Sequence, residues 1–169
     1  MTFQIGQKVV YPNHGVATIE NISTRSFGSR QERFYLLRLA SSSLTVMVPI
    51  SHAGEVGLRK VTKNGTVEQV LRFLEAGECK EARDWKDRFK ENSERMRNGS
   101  LLEVAQVLKN LLLLQKRKPL SFREKKMLDK ARYMLIMEVS ISRAIREAQA
   151  VDLLDRALRK AGLELPPPL

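Results

Sequence analysis

Trp85 is the only tryptophan in the 169-residue chain, and it stands in a run of charges, Arg83-Asp84-Trp85-Lys86-Asp87-Arg88-Phe89-Lys90. On a helix it shares a face with Arg88 and Phe89, three and four residues on. Such a side chain has two uses. In a core it packs with Phe89 beside it, the common fate of a lone tryptophan at helical spacing. At the surface, an aromatic flanked by cations stacks on bases or wedges between them while its neighbours hold phosphates. The charged neighbours of Trp85 suit the surface. The wider segment Lys80 to Arg97 is nearly balanced, with seven basic and five acidic residues.

A second cluster is more one-sided. Lys116 to Arg132 holds basic residues at 116, 117, 118, 123, 125, 126, 130 and 132 against Glu124 and Asp129, which is +6 in 17 residues. A run like this is either a solvated face or a phosphate-binding surface. A helix opening after Ser121 adds the positive end of its dipole, which favours phosphate. Over the whole chain, 30 Lys+Arg stand against 19 Asp+Glu, a formal charge of +11. That balance favours nucleic acid first, an acidic protein surface second and an anionic membrane third. A basic protein that binds no nucleic acid is the plain alternative.

No catalytic constellation accompanies these cations. His14 and His52 lie 38 residues apart, each in a turn, and Cys79 has no CxxC partner for zinc. GxxxxGK[ST], GxGxxG and GxSxG are all missing. The carboxylates stand beside Lys or Arg at the spacing of solvated ion pairs. The chain is therefore expected not to be an enzyme and to use no cofactor or metal. A single cysteine excludes an intrachain disulfide and suits a reducing cytoplasm. No apolar run approaches the ~18 residues of a membrane span. The opening MTFQIGQKVV has no secretory pattern. A cytoplasmic protein without a membrane partner is expected.

Two kinds of element must position these residues. The first sixty residues read as five short strands: Phe3 to Ile5, Lys8 to Tyr11, Val16 to Ile22, Arg33 to Leu39 and Leu44 to Val48. Turn signals at Gly6, Asn13-His14-Gly15, Gly28-Ser29 and Ser41-Ser42-Ser43 separate them. Alternation over Ala17 to Ile22 breaks at Asn21, the pattern of a bulge. Alternation over Leu44 to Val48 turns 44, 46 and 48 to the core and Thr45 and Met47 outward. Five strands at this spacing predict a small, strongly curved barrel.

From residue 64 the period becomes helical. Thr66 caps a helix 66–75 closed by Gly77, and a helix with Trp85, Phe89 and Met96 closes at Asn98-Gly99. Ser100 with Glu103 and Ser121 with Glu124 read as capping boxes, and Pro119 ends the helix before the second. A last helix runs from about Ser142 to Ala161, ended by Gly162. The helix 101–115 is apolar nearly all round, broken only by Glu103, Gln106, Lys109 and Asn110, so it belongs at the centre of a bundle. The expected fold class is α+β in two domains. A strand domain covers residues 1–62 and a bundle of about five helices covers 64–162, with Lys63-Asn64-Gly65 as the joint. A Pro-rich tail, 163–169, is expected to fray. Residues 1–62 carry 7 basic and 3 acidic side chains, and the remainder 23 and 16.

The segment Phe3-Gln4-Ile5-Gly6-Gln7-Lys8-Val9-Val10-Tyr11-Pro12-Asn13-His14-Gly15-Val16-Ala17 resembles the opening of the bacterial CarD/CdnL family of transcription regulators. Leu44-Thr45-Val46-Met47-Val48-Pro49 resembles a later strand of that family. Trp85 with Arg88 and Lys90, and the run from Leu120 to Arg132, resemble its helical domain. The likeness extends from Met1 to about Leu158. It implies a Tudor-like (SH3-like) barrel that binds the β subunit of RNA polymerase, and a helical domain on promoter double-stranded DNA at the upstream edge of the bubble. A related barrel lies in the transcription-repair coupling factor, an ATPase, for which this chain has neither motif nor length.

By position, the resemblance makes Trp85 a wedge in the minor groove that stabilises the open complex. Arg88, Lys90 and Lys125 become DNA-backbone contacts, and Arg83, Lys86 and Lys126 complete that set. Arg25 becomes a polymerase contact, with Thr45 and Met47 on the polymerase-facing strand. Family members carry arginine at the position of Met47, so a charge-assisted contact is replaced by an adaptable apolar one. The chain is expected to act as a monomer on polymerase. Two other readings stand beside this one. A stand-alone repressor would use helices 101–116 and 121–137 as a helix-turn-helix, which the all-round apolarity of the first opposes. A protein adaptor would meet an acidic partner and no DNA.

Overall fold

The structure is a computed structural model that describes residues 2–76 and 85–169. The chain divides into two compact units, Met1–Val61 and Thr62–Leu169.

The first unit is a five-stranded antiparallel sheet. Its strands are β1 (Lys8–Tyr11), β2 (Gly15–Phe27), β3 (Arg30–Leu39), β4 (Thr45–Pro49) and β5 (Arg59–Lys60), hydrogen-bonded in the order β4-β3-β2-β1-β5. The turn between β1 and β2 explains part of the opening motif. Asn13 adopts φ 67, and the His14 N–H donates to the Tyr11 carbonyl at 2.9 Å. Asparagine tolerates that left-handed conformation better than most residues. The expected break at Asn21 is a register shift between Ile19 and Asn21. Strands β2 and β3 run further than their alternation suggests, pairing as far as Phe27 with Arg30.

Two expectations fail here. Phe3 to Ile5 is not a strand. The segment lies against β2 through Gly6 N–H to the Ile19 carbonyl and Ile19 N–H to the Gln7 carbonyl. Gly6, at φ 87, turns the chain out of any ladder. The fifth strand is Arg59–Lys60, paired with Val10 and Val9. Leu44 is exposed rather than inward, because β4 begins one residue later. The core gathers Phe3, Val9, Ile19, Tyr35, Leu37 and Val48. Phe3 and Tyr35 meet edge to face at 5.7 Å, and the Phe3 N–H donates to the Tyr35 hydroxyl at 3.0 Å.

The second unit contains α1 (Asn64–Ala76), α2 (Trp85–Asn98), α3 (Leu101–Arg117), α4 (Phe122–Arg143) and α5 (Glu147–Lys160). The chain thus has the Tudor-like α+β layout expected of it: an antiparallel sheet, then five helices. Helix α3 packs against α1, α2 and α4, and nine of its residues are buried. Even its polar positions face partners. Buried Lys109 donates to the Phe73 carbonyl at 2.8 Å, and the Asn110 amide donates to Asn92 Oδ1 at 3.2 Å. Helix α3 stops where Pro119 requires, with Lys118 extended. Gly99, at φ 73, closes α2.

The two capping signals differ in outcome. At α4 both bonds form: Ser121 Oγ accepts from the Glu124 N–H at 3.2 Å, and Glu124 Oε1 accepts from the Ser121 N–H at 3.0 Å. At α3 only the serine half forms. Glu103 takes the Ser100 hydroxyl and the Asn98 amide in place of the Ser100 N–H.

The helix expected from Ser142 begins at Glu147. Ala144 takes φ 52 and ends α4, with the Ile145 N–H returning to the Ser140 carbonyl. Helix α1 starts at Asn64, two residues before Thr66, so the joint lies before Lys63. Gly77 and Cys79 lie outside the described residues. The tail does not fray. Leu163 is buried, Pro166 O accepts from Arg132 Nε at 2.6 Å, and the Leu169 N–H donates to Asp129 at 2.8 Å.

Candidate nucleic-acid and partner interfaces

Helix α2 is polar along most of its length and is held to the bundle by few residues. Met96 and Asn92 are buried, and Asn92 Oδ1 also accepts from Arg95 at 3.0 Å. One turn nearer its start, the Arg123 guanidinium of α4 lies 4.2 Å from the centroid of the Phe89 ring. A cation over an aromatic face is attracted by the ring quadrupole. This contact brings the first turns of α2 beside the first turn of α4.

Of the expected backbone contacts, Lys90 is exposed on α2, and Lys125 and Lys126 are exposed on α4. Arg88 is half-buried, and its Nε has no hydrogen-bond partner. Trp85 is the first residue of α2. The side chains of Trp85 and Lys86, and all of Arg83, lie outside the described residues. Phe89, the alternative core partner of Trp85, is only half-buried and stacks on Arg123.

The two acidic residues of the 116–132 segment do not neutralise its surface side chains. Glu124 is buried in the cap, and Asp129 accepts from the tail. Two cations of the cluster are also engaged by backbone carbonyls: Lys116 Nζ donates to Gly162 at 2.7 Å, and Arg132 donates to Pro166 of the tail. Burial pushes the Lys130 ammonium below its ordinary pKa. Arg123, Lys125 and Lys126 at the start of α4 are exposed, as are Lys116, Arg117, Lys118 and Lys130, and only Arg132 of the cluster is half-buried. The helix-turn-helix alternative finds its first helix, α3, at the centre of the bundle.

On the sheet, register decides which side chains share a face. Tyr35, Leu37 and Val48 point to the core, so their strand neighbours point away. Arg25 pairs with Glu32, Met47 with Leu36 and Thr45 with Arg38. All six lie on the outward face, so Arg25, Thr45 and Met47 share one surface. Sequence reasoning missed its apolar centre. Phe34 and Leu36 are half-buried there, and Phe27, 56% exposed, reaches Phe34 with centroids 6.2 Å apart. Phe34-Tyr35-Leu36-Leu37 is apolar without a break, so sequence alternation does not separate this face from the core, and the bulge in β2 shifts the parity of Arg25 and Phe27 opposite it. Thr45 and Met47 lie on β4, an edge strand whose outer backbone groups are free for pairing.

Among the described residues no three His, Cys, Asp or Glu side chains are grouped to hold a metal ion, and no helix is long and apolar enough to cross a membrane.

A five-stranded domain followed by a helical one with a cationic helix start defines a class. Residues 3–62 match the CarD-like/TRCF RID domain and residues 69–155 match the CarD C-terminal domain. The chain belongs to the CarD-like family of transcription regulators. It is 35% identical over 147 residues to "Putative transcription factor YdeB" of Bacillus subtilis (strain 168), an alignment covering 87% of this chain and 96% of the relative.

Proposed function

We propose that the chain binds the β subunit of RNA polymerase through the outward face of β2, β3 and β4, and promoter DNA at the upstream edge of the bubble through the starts of α2 and α4. Trp85 acts as a minor-groove wedge. Arg83, Lys86, Arg88, Lys90, Lys125 and Lys126 hold the backbone. Arg25, Thr45 and Met47 meet polymerase around the apolar centre formed by Phe34 and Leu36.

The observation that carries this reading is the stack of Arg123 on Phe89, which sets the turns that carry Trp85 and Arg88 beside Lys125 and Lys126. Wedging into a base step costs a few kcal/mol of unstacking, roughly, in closed duplex. At the edge of an opened bubble that cost is already met. A side chain that binds only the opened junction shifts the equilibrium towards opening by its differential affinity. Tethering to polymerase raises the effective concentration of the helical unit at the promoter, so weak and largely sequence-independent DNA affinity is enough. The chain works as a monomer on polymerase and carries out no catalysis.

The test is the lifetime of promoter open complexes with purified polymerase. Trp85→Ala shortens it while polymerase binding stays at the wild-type level. An unchanged lifetime removes the wedge.

A further inference from the structure

Phe122 is the first residue of α4 and is 67% exposed. The helix does not need a phenylalanine there. Ser121 and Glu124 make the cap, and the buried apolar face of α4 begins at Leu128. The ring is nevertheless held. Lys126, one turn on, places Nζ 4.8 Å from its centroid. Lys125 is exposed beside it, and Arg123 is fixed over Phe89. Neither acid of the segment faces outward to the ring: Glu124 is buried in the cap, and Asp129 is bonded to Leu169. Among the described residues the ring is thus an exposed apolar surface with Lys126 over it and Lys125 exposed on the same side of the helix, a collar of cations.

A single exposed apolar side chain is ordinary in itself. Its collar is what suggests an occupant. An apolar protein surface needs a wide apolar patch, with charge at the rim. A nucleic-acid backbone alternates an anionic phosphate with an apolar sugar, and this matches one ring between ammonium groups. We propose that Phe122 is a contact for duplex DNA, its ring packed on the sugar face of the strand whose phosphates Lys125 and Lys126 hold. This rests on the DNA-binding reading of the helical unit and adds to it a residue that acts without charge.

The absence of charge gives a distinct signature. A cation that neutralises a phosphate releases counterions, so removing one such cation makes the slope of log K against log salt shallower by about 0.9. Removing the ring weakens binding at every salt concentration and leaves the slope alone. The measurement is anisotropy of a labelled duplex titrated with the full chain across a salt series. Phe122→Ala should weaken binding about fivefold or more, from the usual size of aromatic contacts to nucleic acid, at wild-type slope. Phe122→Leu should recover part of the loss. Lys125→Ala should weaken binding and make the slope shallower.

Wild-type affinity in Phe122→Ala, with Lys125→Ala weakened, overturns the contact and leaves the DNA reading standing. A shallower slope in Phe122→Ala also overturns it, because the ring would then act only by holding Lys126. Wild-type binding in both variants overturns the contact together with the DNA reading of α4.

Discussion

The sheet unit and the helical unit present opposite kinds of surface. On the outward face of β2, β3 and β4, Phe34, Leu36 and Met47 form a centre with Arg25, Arg38 and Thr45 around it. Apolar contact with a polar rim is how proteins meet proteins. At the starts of α2 and α4 the order is inverted. At α4 cations dominate, Glu124 and Asp129 are turned to backbone partners, and Phe122 is a lone apolar group among them, whereas α2 keeps an exposed Asp87 in its first turn. Charge without a wide apolar patch is how proteins meet a polyanion. The net charge of +11 is therefore not one surface.

Core substitutions give the largest test of this division. Leu135 is fully buried beside α3, so Leu135→Ala should cost about 2–5 kcal/mol in denaturant unfolding of the helical unit. Duplex binding should fall with the folded fraction. A loss below about 1 kcal/mol would mean that α4 is not held as described.

Hydrogen bonds give a smaller and matched pair. Ser121→Ala removes the cap of α4 and should cost about 1 kcal/mol, loosening the turn that carries Phe122, Lys125 and Lys126. Tyr35→Phe removes the acceptor of the Phe3 N–H and should also cost about 1 kcal/mol. Duplex affinity should fall in the first and hold in the second, measured under conditions where both remain folded. Equal effects on DNA would break the comparison.

The smallest effect is one of pH. Asp155 is held below its ordinary value of 3.8, first by the Arg159 side chain and then by the Leu165 N–H. A depressed carboxylate adds stability that is fully present above its unfolded value and is lost as pH falls through the folded one. Asp155→Asn should lower stability most near neutrality and least below about pH 4, where the wild-type carboxylate loses its contribution as well, so the acid limb flattens. Acid titration of helical signal checks it. An unchanged acid limb would detach Asp155 from the docking of the tail.

Local signals were the legible ones. Ser121 and Glu124 lie within one turn, so their box is readable without the fold, and the apolar circumference of 101–115 announces a central helix. Non-local features were not readable. The two residues of β5 are too few to alternate. Ala144 breaks a helix in a conformation that asparagine or glycine usually signals. The tail docks through its own backbone, accepting from Arg132 and donating to Asp155 and Asp129, and proline spacing gives no hint of that. Among the site residues, charge located the cations of α4. The stack of Arg123 on Phe89 and the apolar centre on the sheet depend on packing and register.

The most direct measurement is open-complex lifetime as a function of protein concentration, which separates tether from wedge. Arg25→Glu should raise the concentration needed for half of the effect and leave the lifetime at saturation unchanged. Trp85→Ala should shorten the lifetime at saturation and leave that concentration unchanged. If both substitutions move the same parameter, the two units do not serve two partners.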